Sequence, residues 1–277
     1  MSAISAFRSL TRIALKNGSV TTGDREVAEE VPVAFSYGGS THAVMMASPI
    51  DLEDFAYGFS LTEGIISDPE QIEAVDVIRT EQGYDVQVTL LDQQADALRL
   101  RRRHMAGPVG CGLCGIESIE QAVRPVPDVS KATLALETAE LVLAMEALHE
   151  AQLVFRQTRA VHGAGFYVPQ RGLIAAREDV GRHNALDKLA GGVLRGGFEG
   201  ASGVVVVTSR ISVEMVQKAA LLGSPILAAV SAPTALAIET AHKAGMTLVA
   251  LVRGDDMEIF TRPDRIVFSG ASAESQM

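Results

Sequence analysis

The second half of the chain alternates between apolar runs and amphipathic segments, which predicts alternating strands and helices. Residues 203–209, 224–231 and 246–253 are dominated by apolar side chains, and residues 212–223 and 233–245 between them have helical spacing. Long apolar runs are typical of parallel strands that are covered on both faces. The pattern therefore predicts an α/β domain with three layers, in which helices cover both faces of a parallel sheet.

The first half has a different pattern, which predicts a smaller α+β region. Two β-rich runs flank Gly38–Gly39 and two more flank Gln82–Gly83, so each pair is expected to form a hairpin. A helix is expected between the hairpins, because Pro49 and several acids stand at its start and Gly64 stands near its end. A second helix is expected over residues 92–103.

Composition shifts along the chain suggest where its parts begin and end. The first residues are polar and punctuated by glycine, so they are expected to form an arm or a first edge strand. A segment with two prolines at 123–133 is the best linker candidate. The predicted division is an N-terminal arm at 1–24, a smaller α+β domain at 25–130 and an α/β domain at 131–277.

The overall composition narrows the classes of function. The 277 residues are 47% hydrophobic but only 5% aromatic and contain no tryptophan, so the core must be aliphatic. The net charge of -10 disfavours a nucleic-acid partner. We expect no membrane attachment, because no stretch approaches the roughly 20 apolar residues of a membrane helix. The first residues hold no apolar core of a secretory signal either, which makes the cytoplasm the expected compartment.

Polar residues follow the predicted strands of the second half. In an open parallel sheet, ligands bind outside the carboxyl ends of the strands, where helix N-termini and arginines suit an anion. The sequence therefore predicts a pocket for a phosphorylated ligand such as a nucleotide, although neither a P-loop nor a GxGxxG fingerprint occurs in this half of the chain. The residues at these positions are Arg182, His183, Asn184, Ser209, Arg210 and Arg253.

The alternative for each of these residues is a structural role. Serine, threonine, aspartate and asparagine cap helices in every α/β protein, and Arg182 could pair with Asp179 or Glu178. Lys188 could pair with Asp187 or another nearby acid. His183 by itself, like His162, is more typical of a structural histidine than of a catalytic one. Three arginines at three strand ends are harder to explain in this way.

Both cysteines of the chain, Cys111 and Cys114, lie in the glycine-rich stretch GPVGCGLCG. A basic segment, RLRRRH, precedes them, and a short helix is expected to start beside Cys114; both features favour a thiolate. Two cysteines supply only half of the four ligands of a zinc site, although a dimer could share four, and no second CxxC occurs. We therefore rank a mobile sulfur-carrying loop above a metal half-site, and a metal half-site above a disulfide reductase.

Several segments together resemble the FdhD family of formate dehydrogenase accessory sulfurtransferases. They are SPIDLEDFAYGFSLTEGI, GCGLCG, EDVGRHNALDK, SRISVEMVQKA, SAPTALA and TLVALVRGD, and they run through most of the chain. The combination of EDVGRHNALDK with GCGLCG is specific to this family. The resemblance implies a C-terminal domain similar in fold to cytidine deaminases but without their zinc chemistry, and a homodimer.

The resemblance also implies a mechanism. A cysteine desulfurase would pass persulfide sulfur to Cys111, with Cys114 as its partner. The sulfur would then reach the molybdenum cofactor, bis-molybdopterin guanine dinucleotide, before the cofactor enters the formate dehydrogenase catalytic subunit. The family's cofactor-binding segment corresponds to Ala250, Leu251, Val252, Arg253, Gly254 and Asp255. The alternatives are a cofactor-binding chaperone without obligatory sulfur transfer and, third, a zinc-stabilised α/β protein.

Overall fold

The computed structural model describes residues 5–105 and 126–268, and the side chains within these ranges apart from residues 99–105. The chain groups into two compact units. The first unit contains Met1–Pro125, Gln152–Gly163 and Arg177–Gly197, and the second contains Val126–Ala151, Ala164–Ala176 and Phe198–Met277. The division into independently folding domains at residues 24 and 130 stays a prediction. Within the described ranges, no helix is both long enough and apolar enough to span a bilayer.

The first unit begins with an antiparallel hairpin. Strands β1 (Phe7–Lys16) and β2 (Ser19–Ala28) pair along their whole length. Asn17 and Gly18, with φ of 50° and 79°, form the two-residue turn between them. Asn-Gly is the preferred sequence for a turn in which both central residues have positive φ. The stretch that sequence reasoning described as an arm or an edge strand is therefore a hairpin.

A four-stranded sheet forms the centre of the first unit. Its strands are β3 (Val31–Tyr37), β4 (Ser40–Ala47), β5 (Ile72–Arg79) and β6 (Tyr84–Leu90), in the order β4-β3-β6-β5. The pairs β3/β4 and β5/β6 are antiparallel, which confirms both predicted hairpins, and β3/β6 is parallel.

Helices cover and follow this sheet where the sequence predicted them. Helix α1 (Leu52–Thr62) packs its aromatic side chains on the sheet. The Phe35 ring stacks on that of Phe59 at 4.5 Å and meets that of Phe55 edge to face at 4.8 Å. Helix α2 (Asp92–Met105) follows β6. These ring contacts make the first unit aromatic at its centre, although the chain as a whole is poor in aromatic residues.

The second unit is built on a six-stranded sheet. Helix α3 (Thr138–Ala151) precedes the sheet in the sequence. The short strand β7 (Leu136–Glu137), just before α3, pairs in parallel with β14 (Ile266–Val267), which follows the sheet. The six strands, ordered β13-β12-β11-β10-β8-β9, are β8 (His162–Val168), β9 (Gly172–Asp179), β10 (Val204–Val207), β11 (Ile226–Ala229), β12 (Thr247–Arg253) and β13 (Asp256–Thr261). The first residues of β8 and the last of β9 group with the first unit.

The centre of this sheet is parallel, as the apolar runs predicted. Strands β10, β11 and β12 pair in parallel, and helices α6 (Val213–Leu222) and α7 (Ala235–Lys243) connect them. Every residue of β10 and β11 is buried. The chain therefore has a mixed α/β fold. The cytidine-deaminase-like layering stays a prediction.

A buried arginine ties the second unit together by hydrogen bonds to backbone carbonyls. The Arg265 guanidinium is 3% exposed and donates from Nη1 to the carbonyl of Gly245 at 2.7 Å and from Nη2 to that of Val129 at 2.9 Å. Further bonds reach other carbonyls of the same loops, including Ser130 at 3.1 Å. The planar fork of donors thus fixes residues 129–132 to the sheet.

Two glycines let two helices of the first unit approach closely. Helix α4 (Leu153–Thr158) and helix α5 (Arg182–Arg195) belong to this unit, and α5 packs against α1. A Cβ atom at Gly58 of α1 would lie 1.6 Å from the carbonyl oxygen of Asp187, and one at Gly191 of α5 would lie 1.8 Å from that of Asp54. Only a residue without a side chain fits at either contact.

Gly58→Ala is expected to destabilise the protein despite the better helix propensity of alanine. Alanine gains about 1 kcal/mol in a helix interior, but overpacking typically costs about 1–3 kcal/mol, and the new atom meets backbone that cannot rotate away. Urea unfolding of the full chain should show a lower midpoint. Gly23→Ala is the control, because a Cβ at Gly23 meets nothing within 4 Å. Equal midpoints for the two variants would contradict the close helix contact.

Candidate functional site

The two cysteines with the predicted catalytic role lie outside the described residues. Helix α2 ends at Met105, six positions before Cys111, so the basic segment RLRRRH is helical as expected. Cys114 lies in the same stretch beyond the described helix. The described residues contain no group of three or more His, Cys, Asp and Glu side chains arranged to hold a metal ion.

The strand ends of the second unit bring together one set of predicted ligand-binding residues. Ser209 and Arg210 follow β10, and the adjacent segment is linked to the loop after β11 by a bridge between Ile211 and Pro233. The Leu251 N–H in turn donates to the Ser231 carbonyl at 3.5 Å. Because β10, β11 and β12 are parallel, all of these segments lie at one edge of the sheet, as the sequence predicted.

The segment at 250–255 presents only some of its side chains at this edge. Ala250 and Val252 are buried, and Val252 is part of the hydrophobic core. Arg253, Gly254 and Asp255 are exposed at the turn into β13. A ligand at this edge can therefore reach the side chains of Arg253 and Asp255, whereas the side chains of Ala250 and Val252 serve the core.

Leu251 has an unusual backbone conformation at the same place. Its φ of 55° is in the left-handed region, and the pairing of β12 with β13 is irregular between Ala250 and Arg253. A left-handed conformation costs a branched residue about 1–3 kcal/mol, and such residues cluster at functional sites. Sequence reasoning did not find this bulge, since leucine in an apolar run gives no turn signal.

The other predicted residues, Arg182, His183 and Asn184, belong to the first unit. They lie in the EDVGRHNALDK segment, whose centre is a buried ion pair. The Lys188 Nζ lies 2.6 Å from Asp179 Oδ2, and neither side chain is exposed. Lys188 also donates to the Ser48 carbonyl at 2.8 Å. Lys188 therefore pairs with a nearby acid other than the adjacent Asp187.

The Asp179 carboxylate organises the turn before α5. Besides Lys188, it accepts hydrogen bonds from the backbone N–H groups of Ser48 at 2.9 Å and Gly181 at 2.8 Å, and from Asn184 Nδ2 at 2.9 Å. Burial lowers the pKa of Lys188, while the Asp179 charge acts in the opposite direction by favouring the ammonium. The pair is tolerated in the interior because the carboxylate accepts four hydrogen bonds and the ammonium donates two.

The remaining polar residues of the segment also have structural partners. Asn184 donates its second amide hydrogen to the Met46 carbonyl at 2.8 Å, so both of its N–H donors are used within the protein. Asp187 accepts from Thr62 Oγ1 at 2.6 Å. Glu178 accepts from the N–H groups of Val154 and Phe155, each at 2.8 Å, which caps α4.

A second ionic cluster joins α1 to the same segment. Arg177 donates from Nε to Asp54 Oδ2 at 2.8 Å, and Arg195 donates from Nη1 to Asp54 Oδ1 at 2.5 Å. Arg195 also pairs with Glu53. Sequence reasoning missed this cluster, because its members come from positions more than 120 residues apart.

Lys188→Met is expected to be strongly destabilising, because it leaves the Asp179 charge buried without its partner. Removing one member of a buried pair costs about 3–5 kcal/mol, whereas replacing both members by neutral residues is often tolerated. The double variant Asp179→Asn/Lys188→Met should therefore recover most of the loss in urea unfolding. Lys16→Met, at an exposed position of β1, should change stability by about 0.5 kcal/mol or less. A single variant as stable as the double variant would contradict the pairing.

The chain matches a known protein family over most of its length. The FdhD/NarQ family model matches residues 28–267. A protein of Agrobacterium fabrum named Sulfur carrier protein FdhD is 68% identical over 262 residues, which cover 95% of this chain and 97% of the relative. A protein of the same name from Brucella abortus is 53% identical over the same shares of the two chains.

A solved structure has a similar fold. It is a protein from Desulfotalea psychrophila described as a formate dehydrogenase accessory protein, and it is 28% identical to this chain with a TM-score of 0.75. The alignment covers 95% of this chain and all of the other. Together with the family model and the close relatives, these findings show that the chain belongs to the FdhD/NarQ family.

Proposed function

We propose that this protein is a sulfur carrier in the maturation of formate dehydrogenase. The observation that carries the proposal is the Cys111–Cys114 pair in a chain that matches the FdhD/NarQ family over residues 28–267. The names of the close relatives support a carrier role, and the description of the Desulfotalea protein supports the link to formate dehydrogenase.

The proposed chemistry is transfer of one sulfur atom between thiols. The Cys111 thiolate attacks the outer sulfur of a persulfide on a cysteine desulfurase, so that a new S–S bond forms on Cys111 and the donor leaves as a thiolate. No electrons are gained or lost in this exchange. Cys114 is the neighbouring thiol. This is the activity of a sulfurtransferase with a cysteine persulfide intermediate.

The proposed acceptor is the molybdenum cofactor, bis-molybdopterin guanine dinucleotide. The phosphates of the cofactor would be bound by cationic side chains and by N–H groups that donate hydrogen bonds. The strand ends of the second unit offer two exposed arginines, Arg210 and Arg253, at one edge of the sheet. The left-handed Leu251 and the turn at Gly254, with φ of 58°, supply irregular backbone at the same edge. Guanine nucleotides should therefore mimic part of the cofactor.

The proposed setting follows from this chemistry. The donor is a cysteine desulfurase, and the receiver of the finished cofactor is the formate dehydrogenase catalytic subunit. We propose the cytoplasm as the compartment of the protein and a homodimer as its working form. No contact with nucleic acid or membrane enters the proposal.

Incubation with a cysteine desulfurase and cysteine is expected to add one sulfur atom to the protein. Intact-mass spectrometry should show the added sulfur in the natural sequence and in Cys114→Ala, but not in Cys111→Ala. Treatment with a reductant should remove it, since a persulfide is reducible. Absence of added sulfur in the natural sequence would refute sulfur carriage.

The same variants separate a carrier from a chaperone in cells. In a strain that lacks its own copy, Cys111→Ala/Cys114→Ala should leave formate dehydrogenase inactive while the protein accumulates at its normal level. Full activity with the double variant would favour a cofactor chaperone without obligatory sulfur transfer.

Arg253→Ala and Arg210→Ala are each expected to weaken binding of GDP about tenfold or more, because each removes a charged hydrogen-bond donor. Isothermal titration calorimetry measures the effect directly. Lys243→Ala is the matched control, since Lys243 is an exposed cation of the same unit at the far end of α7. Equal losses in all three variants would show a general charge effect and would contradict a site at the strand ends.

A further inference from the structure

The hairpin of β1 and β2 is fixed to the first unit at its base. The Glu29 N–H donates to the Ala6 carbonyl at 2.8 Å, and Ala6 belongs with Val154 to a small apolar cluster. Arg25 donates from Nη2 to the Thr158 carbonyl at 3.0 Å. Among the described residues, β1 and β2 pair only with each other, so no third strand borders either outer edge of the hairpin. A two-stranded hairpin is marginally stable by itself, and an exposed strand edge can pair with another chain.

The end of this hairpin near its turn exposes an apolar face. Ile13, Leu15 and Val20 are 75%, 71% and 68% exposed. Leu15 lies opposite Val20 in the pairing register, and Ile13 is two positions from Leu15, so the three side chains lie on one face. Exposed aliphatic side chains that are grouped in this way indicate a contact with another molecule. The other face of β1 carries its cations, which are Arg8, Arg12 and Lys16.

Strand β5 is an outer strand of the four-stranded sheet, and it also exposes apolar side chains. Within the described part of the chain it pairs only with β6. Val77 lies in one row with Val86 and Phe35, on the face that α1 covers, whereas Asp76 lies on the opposite face. Both Val77 and its neighbour Ile78 are exposed. The outer edge of β5 can therefore accept a further strand.

The charges of β1 and β5 are complementary. Strand β1 contains three cations and no acid, whereas residues 68–81, which include β5, contain five acids and one arginine. Lys16 at the end of β1 and Asp76 in the middle of β5 are both exposed. The two edges thus match in charge and in apolar character, yet the structure does not pair them within one copy. An open groove beside Val77 adds apolar and acidic lining, which comes from Ile50, Leu52, Asp51 and Glu53.

We propose that β1 of one protomer pairs with β5 of its partner, so that the hairpin extends the partner's four-stranded sheet. The apolar face of the hairpin then continues the face of that sheet which α1 covers, next to the partner's Val77 and the groove. The cations of β1 lie on the same face as the partner's Asp76. Because each copy has both edges, a reciprocal contact about a two-fold axis gives two identical joints and closes the dimer. This pairing rests on the homodimer proposed above and does not depend on sulfur transfer by Cys111.

Photo-cross-linking tests where β1 docks. The full chain with p-benzoylphenylalanine in place of Ile13 is mixed with the natural sequence labelled with ¹⁵N, diluted so that subunits exchange, concentrated again and irradiated. Mass spectrometry of the digest should find position 13 joined to a peptide from residues 72–79. In part of the product that peptide should carry ¹⁵N, which shows that it comes from another copy.

Sedimentation equilibrium of variants tests the apolar and the charged parts of the contact. Ile13→Asp/Leu15→Asp should weaken dimerisation about tenfold or more, because two aliphatic side chains no longer gain from burial. Lys16→Glu should weaken it about threefold, and adding Asp76→Lys should restore it, since the opposite charges are then exchanged. Lys243→Glu reverses an exposed cation of α7, outside both strands, so it is the control and should dimerise normally. Thermal melting of each variant checks that it is folded.

The outcomes separate this pairing from the homodimer itself. The pairing would be overturned, and the homodimer would stand, if the dimer ignored Ile13→Asp/Leu15→Asp or if Asp76→Lys failed to restore Lys16→Glu. Cross-links from position 13 that miss residues 72–79, or that never carry ¹⁵N, would overturn it in the same way. A chain that stays monomeric at every concentration would overturn both. Sulfur loading of Cys111, measured in parallel, reports on sulfur carriage independently of these results.

Discussion

The architecture of the first unit depends on one buried ion pair, Asp179 with Lys188. Burying both charges is costly, and the cost is met because the carboxylate accepts four hydrogen bonds and the ammonium donates to a carbonyl as well. These bonds join the backbone after β4 to the end of β9 and the first turns of α5. The pair therefore determines where α5 begins and how it is oriented.

Contacts along α5 extend this arrangement to α1. Gly58 and Gly191 allow the two helix backbones to touch, and the Thr62 hydroxyl reaches Asp187 across the same interface. The Asp54 carboxylate of α1 also accepts hydrogen bonds from Arg177 and Arg195. The segment that is most specific to the family is thus mainly a structural element of the first unit.

In the second unit the site follows from sheet geometry. Parallel strands place their carboxyl ends on one edge, so residues from three distant parts of the chain meet there. At this edge the backbone of Leu251 is strained in the left-handed region, whereas the side chain of the next residue, Val252, is buried in the hydrophobic core.

Local periodicity was sufficient to determine the elements and the fold class. Continuous apolar runs predicted the parallel strands, glycine turns predicted the two hairpins of the four-stranded sheet, and Pro49 with the acids at the start of the helix predicted α1. The hairpin turn at Asn17–Gly18 was not predicted, although Asn-Gly is a local sequence signal for such a turn. The proposed chemistry of Cys111 and Cys114 also came from the sequence, through the combination of GCGLCG with EDVGRHNALDK.

Only the tertiary structure decided which charged residues serve stability and which remain for function. Asp179, Lys188 and Asp54 look like surface residues in the sequence, but their partners lie up to 141 positions away. No local pattern records such a pairing, because the free energy of a charge depends on its burial and its hydrogen bonds in three dimensions. The sequence by itself therefore determined the elements and the candidate chemistry. The packing of α1, β9 and α5 decided that Asp179, Asn184 and Lys188 form a buried hydrogen-bonded network.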